Sequence, residues 1–326
     1  MKRAELHRAA ALVQPMTIQV VTVPRPRPGP GEIRVRLEGC GICSSNLALW
    51  EGRPWFEYPH EAGSPGHEGW GRVDCVGPGV NDLDEGERVA IVSAKAYAEY
   101  DVVPRALAVR LGPELDALPF PGEPLGCAMN IFERSDIRAG HSVAIVGLGF
   151  LGIVLTQLAS AAGAYVVGLS RRQYALDFAL RMGARHVVQV DRDSNARGAA
   201  LAIVGGRGYD RVIEAGGVQS TLDLASALTA EYGRLVIAGY HQDGLREVNM
   251  QQWNWRALEV INAHERAPER YVSGIERAVR AVMDGRLDPF PLFTHEVSLE
   301  TLDRGFELTR ARPQGFMKAV VRIGSA

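Results

Sequence analysis

The chain has 326 residues, of which 46% are hydrophobic and 23% charged, and its formal net charge is -2 at pH 7. This length is sufficient for two domains that each bury a sizeable core. Because the charge is close to neutral and the basic residues are scattered along the chain, we predict no nucleic-acid partner.

The chain contains four cysteines: Cys40, Cys43, Cys75 and Cys127. They are too few and too irregularly spaced for a disulfide framework, so a reduced, cytoplasmic setting is expected. No apolar segment follows the basic N-terminal residues, and no signal peptide is predicted. Residues 143–169 carry no charge and are long enough to suggest a membrane helix. Glycines interrupt this stretch repeatedly, so we predict no membrane partner.

The chain up to about residue 125 is predicted to be rich in strands. In EIRVRLEG the apolar residues Ile33, Val35 and Leu37 alternate with charged residues, which is the period of a half-buried strand. Two further segments, GWGRVDCVGPGV and GERVAIVS, are short and bounded by glycine. Such segments are typical of a small β-barrel or sandwich.

From about residue 135 predicted strands alternate with predicted helices. HSVAIVG, YVVGLS and HVVQV are the strands, and FLGIVLTQLASAAGA and RRQYALDFALRMGA are the helices, the second beginning at residue 171. This alternation predicts an α/β fold with a parallel, doubly wound sheet. The C-terminal segment returns to short strands around one helix. We therefore predict a β-rich domain of residues 1–130 and 284–326, with an α/β domain of residues 131–283 inserted into it.

A GxGxxG sequence lies between a predicted strand and a predicted helix, as a dinucleotide-binding turn requires. Gly147 permits the tight turn, Gly149 lets the backbone approach a pyrophosphate, and Gly152 lets the helix pack closely. Phe150 and Leu151 begin the helix, whose amides and dipole favour an anion. The alternative is a tight turn that binds no ligand.

The end of the second predicted strand carries Ser170, Arg171 and Arg172, where an NAD site usually has an acidic residue for the ribose 2′-hydroxyl. Arginines bind a 2′-phosphate and an acid would repel it, so we predict that NADP(H) is preferred over NAD(H). The alternative is that Ser170 is a helix N-cap and both arginines lie in solvent.

Cys40 and Cys43 form a CxxC within GCGICSSN, which could be a redox pair, half of a zinc knuckle or a coincidence. No second CxxC follows, and no Cys/His pair occurs at knuckle spacing, which argues against a structural zinc finger. A thioredoxin-like pair should begin a helix in a βαβ unit, whereas this pair lies in the strand-rich part.

Four segments resemble the medium-chain, zinc-dependent alcohol dehydrogenases in order and spacing: GCGICSSN, GSPGHEGWGRVDCVGPGV, GEPLGCAMN and GLGFLG. The resemblance covers essentially the whole chain. Within the family, the chain is similar to the polyol and threonine dehydrogenase branch. It implies a GroES-like catalytic domain around a Rossmann domain. It also implies one catalytic Zn²⁺, a nicotinamide cofactor, an alcohol or carbonyl substrate, and a homodimer or homotetramer.

Carried over to this chain, the resemblance implies that Cys43 and His67 are zinc ligands and that Glu123 is the third ligand or lies behind a bound water. Glu68 follows the ligand histidine and could coordinate or approach the zinc. Cys127 is the rival third ligand. The donor types agree with a catalytic zinc site, which has about three N, S or O ligands and one open position.

The same resemblance places Ser45 where the family hydrogen-bonds the substrate hydroxyl, and Cys40 at a packing position. Lys318 falls near a basic position that can reach the cofactor pyrophosphate, although a surface charge is the alternative. Asn46 replaces the usual aspartate, and Ala48 stands where some members have a proton-relay histidine.

Three features concern the rest of the site. The cysteine-rich lobe that holds a second zinc in many members is missing, so at most one zinc is expected. Four aromatic residues could line a substrate pocket or fill a loop core: Trp50, Trp55, Phe56 and Tyr58. We favour the pocket. The other histidines are predicted to be surface or loop residues: His7, His60, His141, His186, His241, His264 and His295. His60 is near enough to His67 in sequence to be a reserve ligand.

The leading function is a zinc- and NADP(H)-dependent alcohol dehydrogenase or carbonyl reductase. One alternative is a zinc-free enone or quinone reductase of the same superfamily, although such members usually lack the zinc ligands. The other is a nucleotide-binding protein that has lost turnover.

Overall fold

The computed structural model describes residues 5–191 and 195–324. Contacts divide these residues into two units. The first unit comprises residues 5–126, 267–279 and 289–324, and the second comprises residues 127–191, 195–266 and 280–288. The domain boundaries given above stay a prediction.

The strands are β1 (Leu6–Gln14), β2 (Thr17–Pro24), β3 (Glu32–Gly41), β4 (Gly69–Val76), β5 (Arg88–Ile91), β6 (Tyr100–Pro104), β7 (Ala108–Arg110), β8 (Ser142–Val146), β9 (Tyr165–Ser170), β10 (His186–Gln189), β11 (Tyr209–Glu214), β12 (Thr229–Ile237), β13 (Glu259–Asn262), β14 (Phe293–Val297) and β15 (Lys318–Arg322). The helices are α1 (Leu47–Trp50), α2 (Gly122–Ser135), α3 (Phe150–Ala161), α4 (Gln173–Arg181), α5 (Ala196–Ile203), α6 (Gln219–Leu228), α7 (Met250–Trp255), α8 (Pro268–Met283) and α9 (Leu302–Ala311).

The first unit is built on a seven-stranded sheet of order β14-β15-β3-β4-β5-β7, with β6 also paired to β3, and on a β1-β2 ribbon. The alternation predicted for β3 is confirmed, because Ile33 and Val35 are fully buried and Leu37 is 2% exposed. These side chains belong to one apolar core with residues from β4, β5, β15 and α9. The core fixes the ends of β3 and β4, which adjoin the predicted zinc ligands Cys43 and His67.

The second unit contains six parallel strands in the order β10-β9-β8-β11-β12-β13. The predicted doubly wound parallel sheet is therefore confirmed. Strand order reverses between β8 and β11, and ligands of such sheets bind outside the carboxyl ends of the strands at this point. The predicted start of α4 at residue 171 is wrong: Arg172 is the N-cap, with an extended backbone, and the helix begins at Gln173.

The uncharged stretch of residues 143–169 forms most of β8, then α3 and most of β9. It lacks charge because residues 152–159 of α3 and nearly all of both strands are buried. A bilayer-spanning helix does not occur among the described residues, since none combines sufficient length with sufficient apolar character.

Candidate active site

Three donor groups meet in the first unit. Cys43 follows the end of β3, and His67 and Glu68 directly precede β4. Antiparallel pairing sets Cys40 of β3 opposite Gly69 of β4, which brings the two segments together. One ligand atom from each of Cys43, His67 and Glu68 lies within 4.8 Å of the other two. The structure therefore gathers a sulfur, a nitrogen and an oxygen donor, the set that zinc prefers.

Hydrogen bonds orient the His67 ring. Its Nδ1 lies 3.0 Å from the carbonyl oxygen of Pro65, which can only accept, so Nδ1 carries the hydrogen. This leaves Nε2 with a lone pair when the ring is neutral. Asn46 donates from Nδ2 to the same carbonyl at 3.1 Å. A backbone carbonyl is a common outer partner of a histidine that binds metal.

The donor group is electrostatically suited to a cation. Burial alone would lower the pKa of His67. The hydrogen bond to Cys43 and the negative charges of Cys43, Glu123 and Glu68 outweigh it and raise the pKa of His67 to about 10. The surroundings thus stabilise positive charge where the donor atoms converge, which fits a divalent metal.

Glu68 forms a buried ion pair that its sequence position does not reveal. Its carboxylate is fully buried, and Oε2 lies 2.7 Å from Nζ of Lys318, which donates to Oε1 at 2.9 Å. Nζ also donates to the carbonyl of Ile42 at 3.3 Å. Burial would lower the pKa of Lys318, but the charges of Glu68, Cys43 and Glu123 and the hydrogen bond to Glu68 together outweigh burial and raise the pKa. Lys318 is 5% exposed, so it is not a surface charge; its contact with the pyrophosphate stays a prediction.

Cys40, Glu123 and Cys127 lie outside the group of three donors. Cys40 is fully buried in the core, and burial raises the pKa of its thiol well above the usual value. Its predicted packing role is confirmed. Glu123 lies in the first turn of α2, outside the group of three donors, although its charge acts on His67. Cys127 is half-buried further along α2, and it too is outside the group.

Two hydroxyl groups lie beside the donor group. Ser45 donates from Oγ to Sγ of Cys43 at 3.2 Å. Tyr97 is fully buried, and its hydroxyl donates to the carbonyl of Gly41 at 3.3 Å. Burial raises the pKa of Tyr97 well above its usual value, and charges of Cys40 and Glu68 act in the same direction. Tyr97 is not predictable from the sequence, because its segment KAYAEY carries no motif.

The aromatic loop differs from its predicted role as a pocket lining. Trp50 is 1% exposed, stacks on Phe306 and donates from Nε1 to Asp303 at 2.8 Å, so it belongs to the core. Tyr58 also packs against this core, whereas Trp55 is 58% exposed. The prediction that Trp50 lines a substrate pocket is therefore wrong, because Phe306 and Asp303, which are distant in sequence, contact its side chain.

The glycine turn of the second unit has the geometry of a dinucleotide site. Gly147 has a φ of +105°, and a Cβ there would lie 2.9 Å from the backbone of Ala215. A Cβ on Gly152 would lie 2.0 Å from the carbonyl oxygen of Gly147, so this glycine lets α3 pack against the turn. A Cβ on Gly149 would meet no atom within 4 Å, which leaves space beside the helix N-terminus. Phe150 and Leu151 are the first two residues of α3.

The end of β9 lacks an acidic residue and has one uncommitted arginine. Ser170 accepts from the backbone N–H of Arg172 at 3.2 Å, and Arg172 donates from Nη2 to the carbonyl of Leu148 in the glycine turn at 3.3 Å. Arg171 is exposed and forms neither a hydrogen bond nor an ion pair with the described residues. Both arginines thus adjoin the strand end where a 2′-phosphate would bind.

A polar network at the carboxyl edge of the same sheet was also missed. Glu214 ends β11 fully buried and accepts from the N–H groups of Gly216 at 2.8 Å and Gly217 at 2.7 Å. His241, in the loop after β12, lies with Nε2 3.0 Å from Glu214 and accepts on Nδ1 from Arg246 at 2.9 Å. This network connects the loop after β11 with the loop after β12. No pattern within a single segment of the sequence predicts it.

Comparison with known proteins agrees with this geometry. Residues 29–112 match the model of the alcohol dehydrogenase GroES-like domain, and residues 151–279 match that of zinc-binding dehydrogenases. An L-threonine 3-dehydrogenase of Bacillus licheniformis is 26% identical over 90% of this chain and 92% of its own. A sorbitol dehydrogenase of Bacillus subtilis is 23% identical over 92% of both. A Sinorhizobium meliloti protein described as a zinc-binding dehydrogenase, solved with NADP bound, has a TM-score of 0.82 and 26% identity, covering 98% of this chain and 99% of its own.

The two matched domains cover well over half of the chain in the order that a zinc-dependent medium-chain dehydrogenase requires, and the relatives extend the match to nearly its full length. The chain belongs to the zinc-dependent alcohol dehydrogenase family of the medium-chain dehydrogenases, as the sequence predicted. It is an oxidoreductase of the alcohol dehydrogenase/reductase type, with a GroES-like domain and a Rossmann domain.

Proposed function

We propose that this protein transfers a hydride between NADP(H) and an alcohol, aldehyde or ketone, with one zinc ion polarising the substrate oxygen. The observation that carries the proposal is the convergence of Cys43, His67 and Glu68 within 4.8 Å in surroundings that favour a cation. Zinc-free reductases of the superfamily do not need this set of donors.

Cys43 and His67 would hold the zinc, with a carboxylate as third ligand. Glu68 is nearest, but its charge is already balanced by Lys318 at 2.7 Å, which competes with a metal for the carboxylate. Glu123 is therefore the third ligand that we propose, and its charge already acts on His67. When bound, zinc supplies Lewis acidity and the nicotinamide accepts or donates the hydride.

The chain's own polar groups would handle the proton. Ser45 lies beside the ligand sulfur, with Oγ 3.2 Å from Sγ of Cys43, and it is the group that we propose to hydrogen-bond the substrate hydroxyl. Ala48 is 7% exposed and cannot exchange a proton. The proton would therefore leave through Ser45, the cofactor ribose or water.

The proposed preference for NADP(H) rests on charge at the end of β9. Arg171 is exposed and uncommitted among the described residues, and Arg172 reaches the glycine turn. A charge-assisted hydrogen bond is worth about 1.5–3 kcal/mol, and ~1.4 kcal/mol is a factor of ten in affinity. One such bond to the 2′-phosphate would thus give a preference of about tenfold or more.

Two measurements test the proposal. Purified protein should contain about one zinc per chain and oxidise NADPH with an aldehyde or ketone, or reduce NADP⁺ with an alcohol. The alcohols tested should include L-threonine and sorbitol, because two relatives are named as dehydrogenases of these compounds. Turnover of enones without zinc would support the zinc-free reductase, and cofactor binding without turnover would support the non-catalytic alternative.

Fluorescence titration with NADPH and NADH tests the cofactor separately. We expect NADPH to bind about tenfold tighter or more. The double variant Ser170→Asp/Arg171→Ile should weaken NADPH and improve NADH, because it adds a repulsive charge and removes an attractive one. Equal affinities in the wild-type protein would contradict the preference. The homodimer or homotetramer remains a prediction, which light scattering can test.

A further inference from the structure

The first unit contains a cavity of about 740 Å³ that is separate from the metal donors. It lies between β1, the end of β2, β6 and the connection from β5 to β6. Its apolar walls include Val23, Val92, Val103 and Leu107. None of the three metal-site donors lines it. The volume is that of a typical small-molecule site.

A buried carboxylate lines this cavity without a cationic partner. Asp101 is 7% exposed, and it accepts hydrogen bonds from the hydroxyl of Ser93 and from the N–H of Val102, the latter at 2.8 Å. Among the described residues no lysine, arginine or histidine nitrogen forms an ion pair with it. Burial raises the pKa of Asp101, because the two hydrogen bonds and the more distant charge of Lys95 offset only part of the lost hydration. A buried carboxylate in this state gains from a cation.

An unpartnered imidazole lines the same cavity. His7 is 6% exposed, and neither ring nitrogen hydrogen-bonds to any described residue. The ring contacts the edge of Tyr100, with centroids 5.9 Å apart. Burial lowers the pKa of His7; the charge of Glu99 opposes this effect, whereas the charges of Arg25 and Arg34 add to it. A neutral imidazole offers one acceptor nitrogen to a ligand.

The remaining charges of the lining cancel. Lys95 and Glu61 form an ion pair at 2.5 Å and are 48% and 68% exposed. With His7 neutral, Asp101 leaves the lining with one net negative charge. A ligand that complements this lining therefore carries one positive charge and is otherwise apolar.

We propose that this cavity binds a small apolar monoamine as its ammonium ion, with the ammonium group donating to Asp101 and the hydrocarbon body lying along the apolar walls. The ammonium group has three donors, so it can use the acceptor capacity that Asp101 retains. The site does not depend on hydride transfer, and it would let an amine bind apart from the substrate.

Isothermal titration of the full chain with n-hexylammonium, 1-hexanol and hexanoate tests the proposal. We expect the ammonium ion to bind at the cavity and the Asp101→Asn variant to bind it about tenfold more weakly or worse, because one charge-assisted bond is lost. Glu61→Gln is the matched control: it also removes one negative charge from the lining, but from an exposed pair, and should change the affinity by less than about threefold.

Two further variants separate the cavity from the metal site. An amine bound to the metal would be lost in Cys43→Ala and unaffected by Asp101→Asn, and this outcome would overturn the proposal, as would no binding of the amine at all. Ala94→Trp adds bulk at an exposed position of the lining and should also reduce binding. It keeps the test decisive if Asp101→Asn does not fold. Equal binding by the wild type and Ala94→Trp would then refute the proposal.

Discussion

The buried pair of Lys318 and Glu68 gives the sharpest test of the site. In Lys318→Met the fully buried carboxylate loses a cation at 2.7 Å. At an effective dielectric constant of about 20, the Coulomb energy of such a pair is about 6 kcal/mol. Part of this is recovered because no lysine is then desolvated. We expect the metal-free variant to be destabilised by about 3–5 kcal/mol, the range for breaking a buried pair.

The assay is urea unfolding of chelator-treated protein, followed by fluorescence. The double variant Lys318→Met/Glu68→Gln is the control, and it should recover most of the loss because no unpaired charge remains. Zinc should stabilise the single variant more than the wild type, since Glu68 is then free to attract the metal. Folding raises the pKa of Lys318, so its contribution is fully present at neutral pH and is lost only as pH rises through that raised pKa. A loss below about 1 kcal/mol, the value of a surface pair, would refute this reasoning.

Other substitutions test separate parts of the site. Cys43→Ala should remove zinc and activity together, and Cys40→Ala should leave both nearly intact; equal losses in metal analysis would show that the CxxC acts as a unit. Glu123→Ala should lower zinc affinity more than Cys127→Ala, as measured by competition with a chromophoric chelator, and the reverse order would make the third ligand a thiolate. Glu214→Ala leaves two loop amides without their acceptor and should destabilise the second unit by about 2–4 kcal/mol in urea; an unchanged midpoint would contradict that.

The sequence predicted the features that depend on short segments. The period of β3, the glycine turn and the donors Cys43 and His67 each lie within a few residues that carry their own pattern. Pairing of β3 with β4 then brings the donors together, and this pairing follows from the alternation that buries Ile33 and its neighbours. The α/β fold was predictable for the same reason, because each strand and helix shows its own period.

The features that could not be predicted from the sequence depend on residues far apart in the chain. Lys318 and Glu68 are 250 positions apart, and neither residue type suggests full burial. His7 looked like a surface histidine because the packing that covers it comes from another strand. Trp50 is covered by α9, more than two hundred residues later. Such contacts arise from tertiary packing, which periodicity does not encode.

At the position where the family resemblance implies an aspartate, Asn46 places a neutral amide beside His67. An aspartate there could accept a hydrogen bond from His67, the proposed zinc ligand, and increase its basicity. Here the carbonyl of Pro65 accepts from Nδ1 of His67, and the amide of Asn46 donates to that carbonyl instead of competing for it. The ring of His67 therefore carries its hydrogen on Nδ1 and leaves Nε2 available for a metal, and no carboxylate stands at position 46. Asn46→Asp should consequently increase zinc affinity, because it adds a negative charge beside His67. Weaker zinc binding in chelator competition would show that the neutral amide is itself required.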